Sequence, residues 1–292
     1  MVTKTLEKTK KLVWPVIDSY LKDPVYPKQF SLKKKYHKET DFFWKINRIY
    51  PERKGKYLRP SLVLLTSNAL GHNSKKAILT AATMQMSQEW ILIHDDVEDK
   101  SDYRRDKPTL QKLYGNELAI NAGDALHIIM WKMISDINNP KIAQEFYTMI
   151  LRTALGQAVE QIWTNSKKKQ DQDNFIYIID SKAGYYTIAG PMRLGAVLAG
   201  ATTKQIELIT NFGLHLGRCF QLVDDILDYK QDIKEGKATI ANTKGLKFAK
   251  ELAKKEKEIA REIFERDLKF LSQNPARKQL AELIDFILER EY

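Results

Sequence analysis

The chain has 292 residues, 43% of them hydrophobic, enough apolar material for one large domain or two modest ones, and with no Gly- or Pro-rich linker residues 1–292 are read as a single domain. One cysteine, Cys219, excludes an intramolecular disulfide framework and fits a reducing, cytoplasmic setting; no apolar run reaches the ~20 residues of a membrane span, and the N-terminus lacks the apolar core of a signal peptide. The formal net charge of +11 admits nucleic acid, anionic membranes or phosphate-bearing ligands, but without zinc-finger spacing or an RNP-like sequence its lysine runs read as helix ends and loops, so nucleic acid is set aside.

Apolar residues recur at three- and four-residue spacing in RPSLVLLTSNAL (59–70), KKAILTAATMQMSQEWILIH (75–94), AINAGDALHIIMWKMISDI (119–137) and FYTMILRTALGQAVEQIW (146–163). The pattern resumes in FIYIIDSKAGYYTIAGPMRLGAVLAG (175–200), KQIELITNFGLHLGRCFQLVDDILDY (204–229) and RKQLAELIDFILER (277–290). Several of these stretches are apolar nearly all round, as expected of helices at the centre of a large bundle. Short breaks at LGHNS, DINNPK and AGATTK separate them. Alternating strand patterns are almost absent, and no fixed repeat appears. The fold class is all-α.

Two of the apolar runs end in the same acidic device. Asp95, Asp96 and Asp99 follow WILIH, and Asp224, Asp225 and Asp228 follow FQLV, each as D-D-x-x-D. On a helix, residues four apart differ by only about 40° around the axis, so the first and last aspartates of each trio stack, with the middle one alongside. Three carboxylates on one face are costly unless a cation neutralises them. Carboxylate oxygens without nearby cysteine or regularly spaced histidine suit a hard ion, chiefly Mg²⁺, which holds few protein ligands and bridges to substrate phosphates. A pair of solvated acid-rich helix ends is the plain alternative; it is weaker for two copies, each behind an apolar run, than for one. A di-iron bundle would want Glu-x-x-His pairs in suitable company, and none occurs. Cations stand near the acids: Lys56 and Arg59 in GKYLRP, on one face if that segment is helical, Arg104 and Arg105 after the first trio, and Lys182 in DSKAGYY. Acids that carry Mg²⁺ and bases that fit phosphate oxygens describe a diphosphate site.

In this order and spacing, GKYLRP, IHDDVEDKSDYRRDKPT, INAGDAL, GQAVE, SKAGYY and FQLVDDILDY followed by DIKEGKAT resemble the trans-isoprenyl diphosphate synthases, the family of farnesyl and geranylgeranyl diphosphate synthases. The resemblance runs from about Tyr50 onward. It implies a single large helical bundle with a central active-site cavity, usually assembled as a homodimer. It also implies a prenyltransferase that joins isopentenyl diphosphate to an allylic diphosphate. By position, Asp95, Asp96 and Asp99 would bind Mg²⁺ on the allylic diphosphate, and Asp224, Asp225 and Asp228 the remaining Mg²⁺, three ions per site in all. Lys56, Arg59, Arg105 and Gln88 would hold isopentenyl diphosphate. Arg104, Lys182 and Lys237 would grip the allylic diphosphate, with Gln221 ordering the site. Ionisation of the allylic C–O bond and loss of a proton to the released diphosphate would leave His94 a packing role rather than that of a base.

The chain departs from the family pattern at several points. Asp106 stands where relatives carry a glycine after the paired arginines, Ala183 where they carry threonine, and Glu160 where GQ-x-x-D ends in aspartate. Only Tyr229, Lys230 and Gln231 separate Asp228 from Asp232, where relatives have a longer loop with a further lysine, for which Lys230 is a partial substitute. Arg290 lies near where family tails approach the substrate. In the family the side chains four and five residues before the first aspartate form the floor of an apolar tunnel; here they are Ile91 and Trp90, with Met86 and Ser87 one turn deeper. A tryptophan floor implies short products of about C15 to C20. The competing readings are a non-catalytic or regulatory synthase subunit, against which the two intact trios argue, and a class I terpene cyclase. Cyclases usually replace the second aspartate trio, which is kept here.

Overall fold

The computed structural model describes residues 2–22, 33–166, 168 and 170–288. Arg290 lies outside them. The described helices are α1 (Val2–Leu21), α2 (His37–Glu52), α3 (Leu58–Ala69), α4 (Lys75–Glu98), α5 (Leu110–Tyr114), α6 (Asn116–Ile137), α7 (Pro140–Asn165) and α8 (Gln172–Ser181). They continue as α9 (Gly190–Leu198), α10 (Thr203–Leu227), α11 (Tyr229–Glu235), α12 (Ile240–Thr243), α13 (Leu246–Arg266) and α14 (Pro275–Leu288). The all-α class expected from the periodicity holds, with one two-stranded hairpin, β1 (Tyr103–Arg104) and β2 (Lys107–Pro108), as the exception among the described residues. No described helix is long and apolar enough to cross a membrane. The chain forms two compact units, one of Leu6–Pro60 and Ile78–Asn139, the other of Met1–Thr5, Ser61–Ala77 and Pro140–Tyr292.

In the first unit α4 is the deeply buried element. Ala81, Met84, Met86 and Ile93 are buried on it together with Thr80, Thr83, Ser87, Glu89 and Asp96, so it is buried along most of its length, as a stretch apolar nearly all round predicts. Its small polar residues are affordable there because they bond locally: Thr83 Oγ1 donates to Leu79 O at 2.8 Å and Ser87 Oγ to Met84 O at 2.8 Å. The segment before α3 is not helical, contrary to the condition under which Lys56 and Arg59 would share a helix face. Tyr57 has φ 60° and is buried, and α3 begins only at Leu58. A left-handed residue between them separates the two cations.

In the second unit α10 is the axis. A capping box starts it: Gln205 N donates to Thr202 Oγ1 at 3.3 Å and Thr202 N to Gln205 Oε1 at 2.9 Å. Ile209, Phe212, Leu216, Cys219, Leu222 and Val223 are its buried apolar stripe. Gly217 lets α10 touch the chain at Gly184, since a Cβ there would stand 2.5 Å from Gly184 O. Just beyond that contact, Tyr185–Ala189 forms a π-helical turn leading into α9, a feature that marks functional sites in many helices.

Candidate active site

Both aspartate trios lie at helix C-termini, and in both the third member is the first residue past the helix. Asp99 N donates to Asp95 O at 2.8 Å and Asp228 N to Asp224 O at 2.9 Å. Helix C-termini carry partial negative charge, so acids there are disfavoured and a cation is welcomed. The middle aspartate is the buried one in each case, Asp96 wholly and Asp225 nearly so, at 0% and 7% exposure. Asp99 and Asp228 are exposed, and Asp95 and Asp224 are half-buried.

At the first trio, in the first unit, α4 ends in a tight turn. Lys100 has φ 54°, Ser101 N donates to Asp96 O at 2.9 Å and Lys100 N to Val97 O at 3.4 Å, the Schellman pattern of bonds. Gln111 Nε2 also donates to Asp96 O at 2.7 Å, so the last carbonyls are satisfied. The chain returns through the β1–β2 hairpin, whose register pairs Arg104 with Lys107. Its two-residue turn is Arg105–Asp106, with φ 56° and 59°. A turn of this kind needs positive φ at both positions, which Asp tolerates better than most residues other than Gly and Asn. Asp106 therefore meets the backbone requirement at the position where the resemblance led one to expect glycine.

The hairpin delivers the two arginines to different carboxylates. Arg104 donates from Nε (2.9 Å) and Nη2 (2.5 Å) to Asp96 Oδ1, and its Nη2 lies 3.9 Å from Asp95 Oδ2. The hydroxyl of Tyr50 donates to the other oxygen, Asp96 Oδ2. Burial would lower the Arg104 pKa, but the bond and charge of Asp96 raise it above its usual value. Burial likewise raises the Tyr50 hydroxyl, and Asp96 adds to that shift. Arg105 donates from Nη1 to Glu89 Oε2 at 3.1 Å, from Nη2 to Glu89 Oε1 at 3.2 Å, and from Nη1 to Tyr50 O at 3.0 Å. Glu89 is 1% exposed; burial raises its pKa, opposed by Arg105. The guanidinium also faces the segment of Lys56, because a Cβ on Gly55 would stand 3.0 Å from Arg105 Nη2. Tyr50, Glu89 and Gln111 were not singled out from the sequence.

Gln88 is half-buried, beside Glu89 on α4. Trp90 is also half-buried; its ring lies against His127 with centroids 4.5 Å apart, and its Nε1 is 3.4 Å from Met130 Sδ. His94 packs directly on α6, where a Cβ at Gly123 would stand 2.3 Å from its Nε2, and Nε2 lies 3.2 Å from Ile120 O.

At the second trio, in the second unit, Gln221 Nε2 donates to Asp225 Oδ1 at 2.8 Å. Burial pushes the Asp225 carboxyl up to about 7, with Asp232 and Asp224 adding to the rise and Gln221 and Lys237 opposing it. The exposed Lys237 follows the end of α11, its N–H on Asp232 O at 2.9 Å. Lys182 Nζ donates to Glu160 Oε2 at 2.9 Å, so the residue that departs from the usual aspartate still reaches the lysine. A cavity of about 720 Å³ lies between α7 and α8, lined by Leu151, Arg152, Leu155, Tyr177, Asp180 and Ser181 among others.

Among the described residues no group of three or more His, Cys, Asp or Glu side chains is drawn together as a metal site. The residues nevertheless fit a hard divalent ion that shares its coordination with phosphate: the donors are oxygens, they sit at two negative helix ends, and the crowding around Asp225 is of the kind a cation relieves.

The polyprenyl synthetase family model matches residues 42–273. A geranylgeranyl diphosphate synthase of Sulfolobus acidocaldarius is 32% identical over 219 residues, 69% of this chain and 66% of that protein, just under two thirds of its length. The structure of a geranylgeranyl pyrophosphate synthetase from Geoglobus acetivorans superposes with a TM-score of 0.84 over 98% of this chain and 99% of that one, at 24% identity. A polyprenyl synthase from Caulobacter crescentus, complexed with calcium and isoprenyl diphosphate, gives 0.81 at 21% identity over 99% and 98% of the two chains. The folds agree from end to end.

Proposed function

The chain belongs to the polyprenyl synthetase family, a family of trans-prenyltransferases, and on that premise we propose that it condenses isopentenyl diphosphate with an allylic diphosphate. The product is a short trans-prenyl diphosphate of about C15 to C20, with Trp90 and Ile91 closing the apolar pocket. The observation that carries this reading is the repeated arrangement of the two trios: a buried middle aspartate at a helix C-terminus, with less buried aspartates on either side of it in the motif. The calcium and isoprenyl diphosphate of the Caulobacter protein support it.

In this proposal Asp95, Asp99, Asp224 and Asp228 hold Mg²⁺, three ions in all, while the middle aspartates order the helix ends behind them. Asp96 has both oxygens engaged by Tyr50 and Arg104, so its work is to hold that arginine. Bound Mg²⁺ would neutralise charge on a departing diphosphate. Arg104, Lys182 and Lys237 then fix the allylic diphosphate, and Gln221 orients Asp225. Arg105, fixed by Glu89, joins Lys56, Arg59 and Gln88 in binding isopentenyl diphosphate. Preorganised cations of this kind stabilise the leaving group without reorganising during the reaction. Homodimeric assembly and a cytoplasmic location belong to the same proposal.

Purified protein with Mg²⁺, labelled isopentenyl diphosphate and five-, ten- or fifteen-carbon allylic diphosphates is expected to form longer prenyl diphosphates. Failure to extend any of these primers would overturn the proposal.

A further inference from the structure

Lys182 sits at an irregular and closely packed turn. It caps α8 with φ −102° and ψ −95°, outside helical values, and the π-helical turn begins three residues later. The backbone on both sides of it is pinned. A Cβ on Gly156 of α7 would stand 2.9 Å from Ser181 Cβ and 3.3 Å from Lys182 N. One turn further along α7, Glu160 takes the ammonium group at 2.9 Å. On the other side Gly184 is pressed against Gly217 of α10.

Next to Gly217 on α10 is Arg218, whose fork closes on Asp180, two residues before Lys182. Nε donates to Asp180 Oδ1 at 2.7 Å and Nη2 to Oδ2 at 2.6 Å. The remaining edge of the guanidinium faces Glu256 of α13, Nη1 to Oε2 at 3.6 Å, and that carboxylate also pairs with His215 Nδ1 at 2.6 Å. The carbonyl of Asp180 is held too: Arg152 Nε donates to it at 3.2 Å, and the Arg152 guanidinium lies 4.5 Å over the ring of Tyr185. A two-bond fork between half-buried groups fixes orientation as well as distance. Arg218 lies six residues before Asp224 on the same helix, so the fork ties the helix of the second trio to the turn that presents the lysine.

We propose that Arg218 is a positioning residue: through its fork on Asp180 it sets where Lys182 meets the allylic diphosphate, relative to the aspartates of α10. The proposal rests on the function proposed above. A small misplacement of a group that binds a reacting diphosphate is costly, up to about 100-fold in rate for about 1 Å. In this proposal the fork acts on the diphosphate through Lys182 and not by contact with it.

The test uses the full-length protein with Arg218→Met, Asp180→Asn and Arg218→Lys, the last keeping the charge while losing the fork. Arg193→Met is the control, because Arg193 forms an equally short fork with Glu145, 2.7 Å at both contacts, on the same unit. The measurements are KM for the allylic diphosphate, KM for isopentenyl diphosphate, affinity for inorganic pyrophosphate with Mg²⁺, and Tm. Loss of the Arg218 fork is expected to raise KM for the allylic diphosphate and weaken pyrophosphate about 10-fold or more, leaving KM for isopentenyl diphosphate within about twofold. Added to Lys182→Met, the same change should add almost nothing, because the two act in one path. Unmoved constants, both KM values rising together as in Arg193→Met, or full additivity with Lys182→Met would overturn the proposal. Should Arg218→Met not fold, Arg218→Lys and Asp180→Asn are read by the same criteria. A wild-type protein that extends no primer would instead sink the proposed function, and pyrophosphate binding would still report on the fork.

Discussion

Asp96 and Asp225 occupy the same place in their motifs, each the middle carboxylate of a trio at a helix end, and each buried. Around Asp96 the chain supplies the compensation itself, an arginine on one oxygen and a tyrosine hydroxyl on the other. Around Asp225 it supplies one amide, from Gln221, and burial pushes the carboxyl up to about 7, with Asp232 and Asp224 adding to the rise and Gln221 and Lys237 opposing it. One buried carboxylate thus has both oxygens engaged by the fold, while the other has a single side-chain partner. In the proposed function that difference makes Asp96 a support for Arg104, whereas the crowding around Asp225 is relieved by the cation that its neighbours would hold.

The largest expected effects fall on the outer aspartates, where the two ends should behave alike. Asp95→Asn and Asp224→Asn are each expected to lower kcat by about 100-fold or more, with Tm of the metal-free protein barely changed. A steady-state assay with full thermal melts checks this, and a mild effect at either end would break the symmetry of function. The middle aspartates should then part company. Asp96→Asn removes the charge that holds the half-buried Arg104 and is expected to destabilise by about 2 kcal/mol, seen as a lower Tm. Asp225→Asn removes a carboxyl that burial and like charges disfavour, so the metal-free protein should be as stable as wild type or more so. Equal losses in the two melts would contradict the contrast drawn above.

Smaller effects lie where α4 packs on α6, at Trp90 and His127. In the proposed function Trp90→Ala removes the floor of the apolar pocket, and product analysis should show longer chains; an unchanged length profile would remove Trp90 as the floor. His127, against which the Trp90 ring lies, has its pKa lowered by burial and by His94, with Asp124 opposing. A histidine held neutral in the fold contributes stability that is present above its unfolded value of about 6.5 and lost as pH falls through the lower folded value. Melts between about pH 7.5 and 5 should therefore show a downward slope that His127→Phe flattens. A slope identical in the variant would assign it to other groups.

Much of this was legible in the chain before its structure. The all-α class follows from long runs at helical spacing, and the trios announce themselves because three like charges behind an apolar run call for a cation. What could not be read were partners brought together by tertiary packing. Tyr50 lies 46 residues from Asp96, Asp180 lies 38 from Arg218, and no periodicity links them. Lys56 and Arg59 look like neighbours on a helix, yet the left-handed Tyr57 separates them. Asp106 looks like a lost glycine until the backbone shows that the turn asks for positive φ, which Asp tolerates. Local rules reach one turn of helix; beyond that, packing decides.

In the proposed function each acidic end is half of a binding arrangement whose other half is diphosphate and its metal. Calorimetric titration of Mg²⁺ into the wild-type protein, with and without inorganic pyrophosphate, tests it most directly. Mg²⁺ alone should bind weakly, and pyrophosphate should tighten it by about 100-fold or more, an enhancement lost in Asp95→Asn and in Asp224→Asn. Tight Mg²⁺ binding without pyrophosphate, or no mutual enhancement at all, would contradict the account.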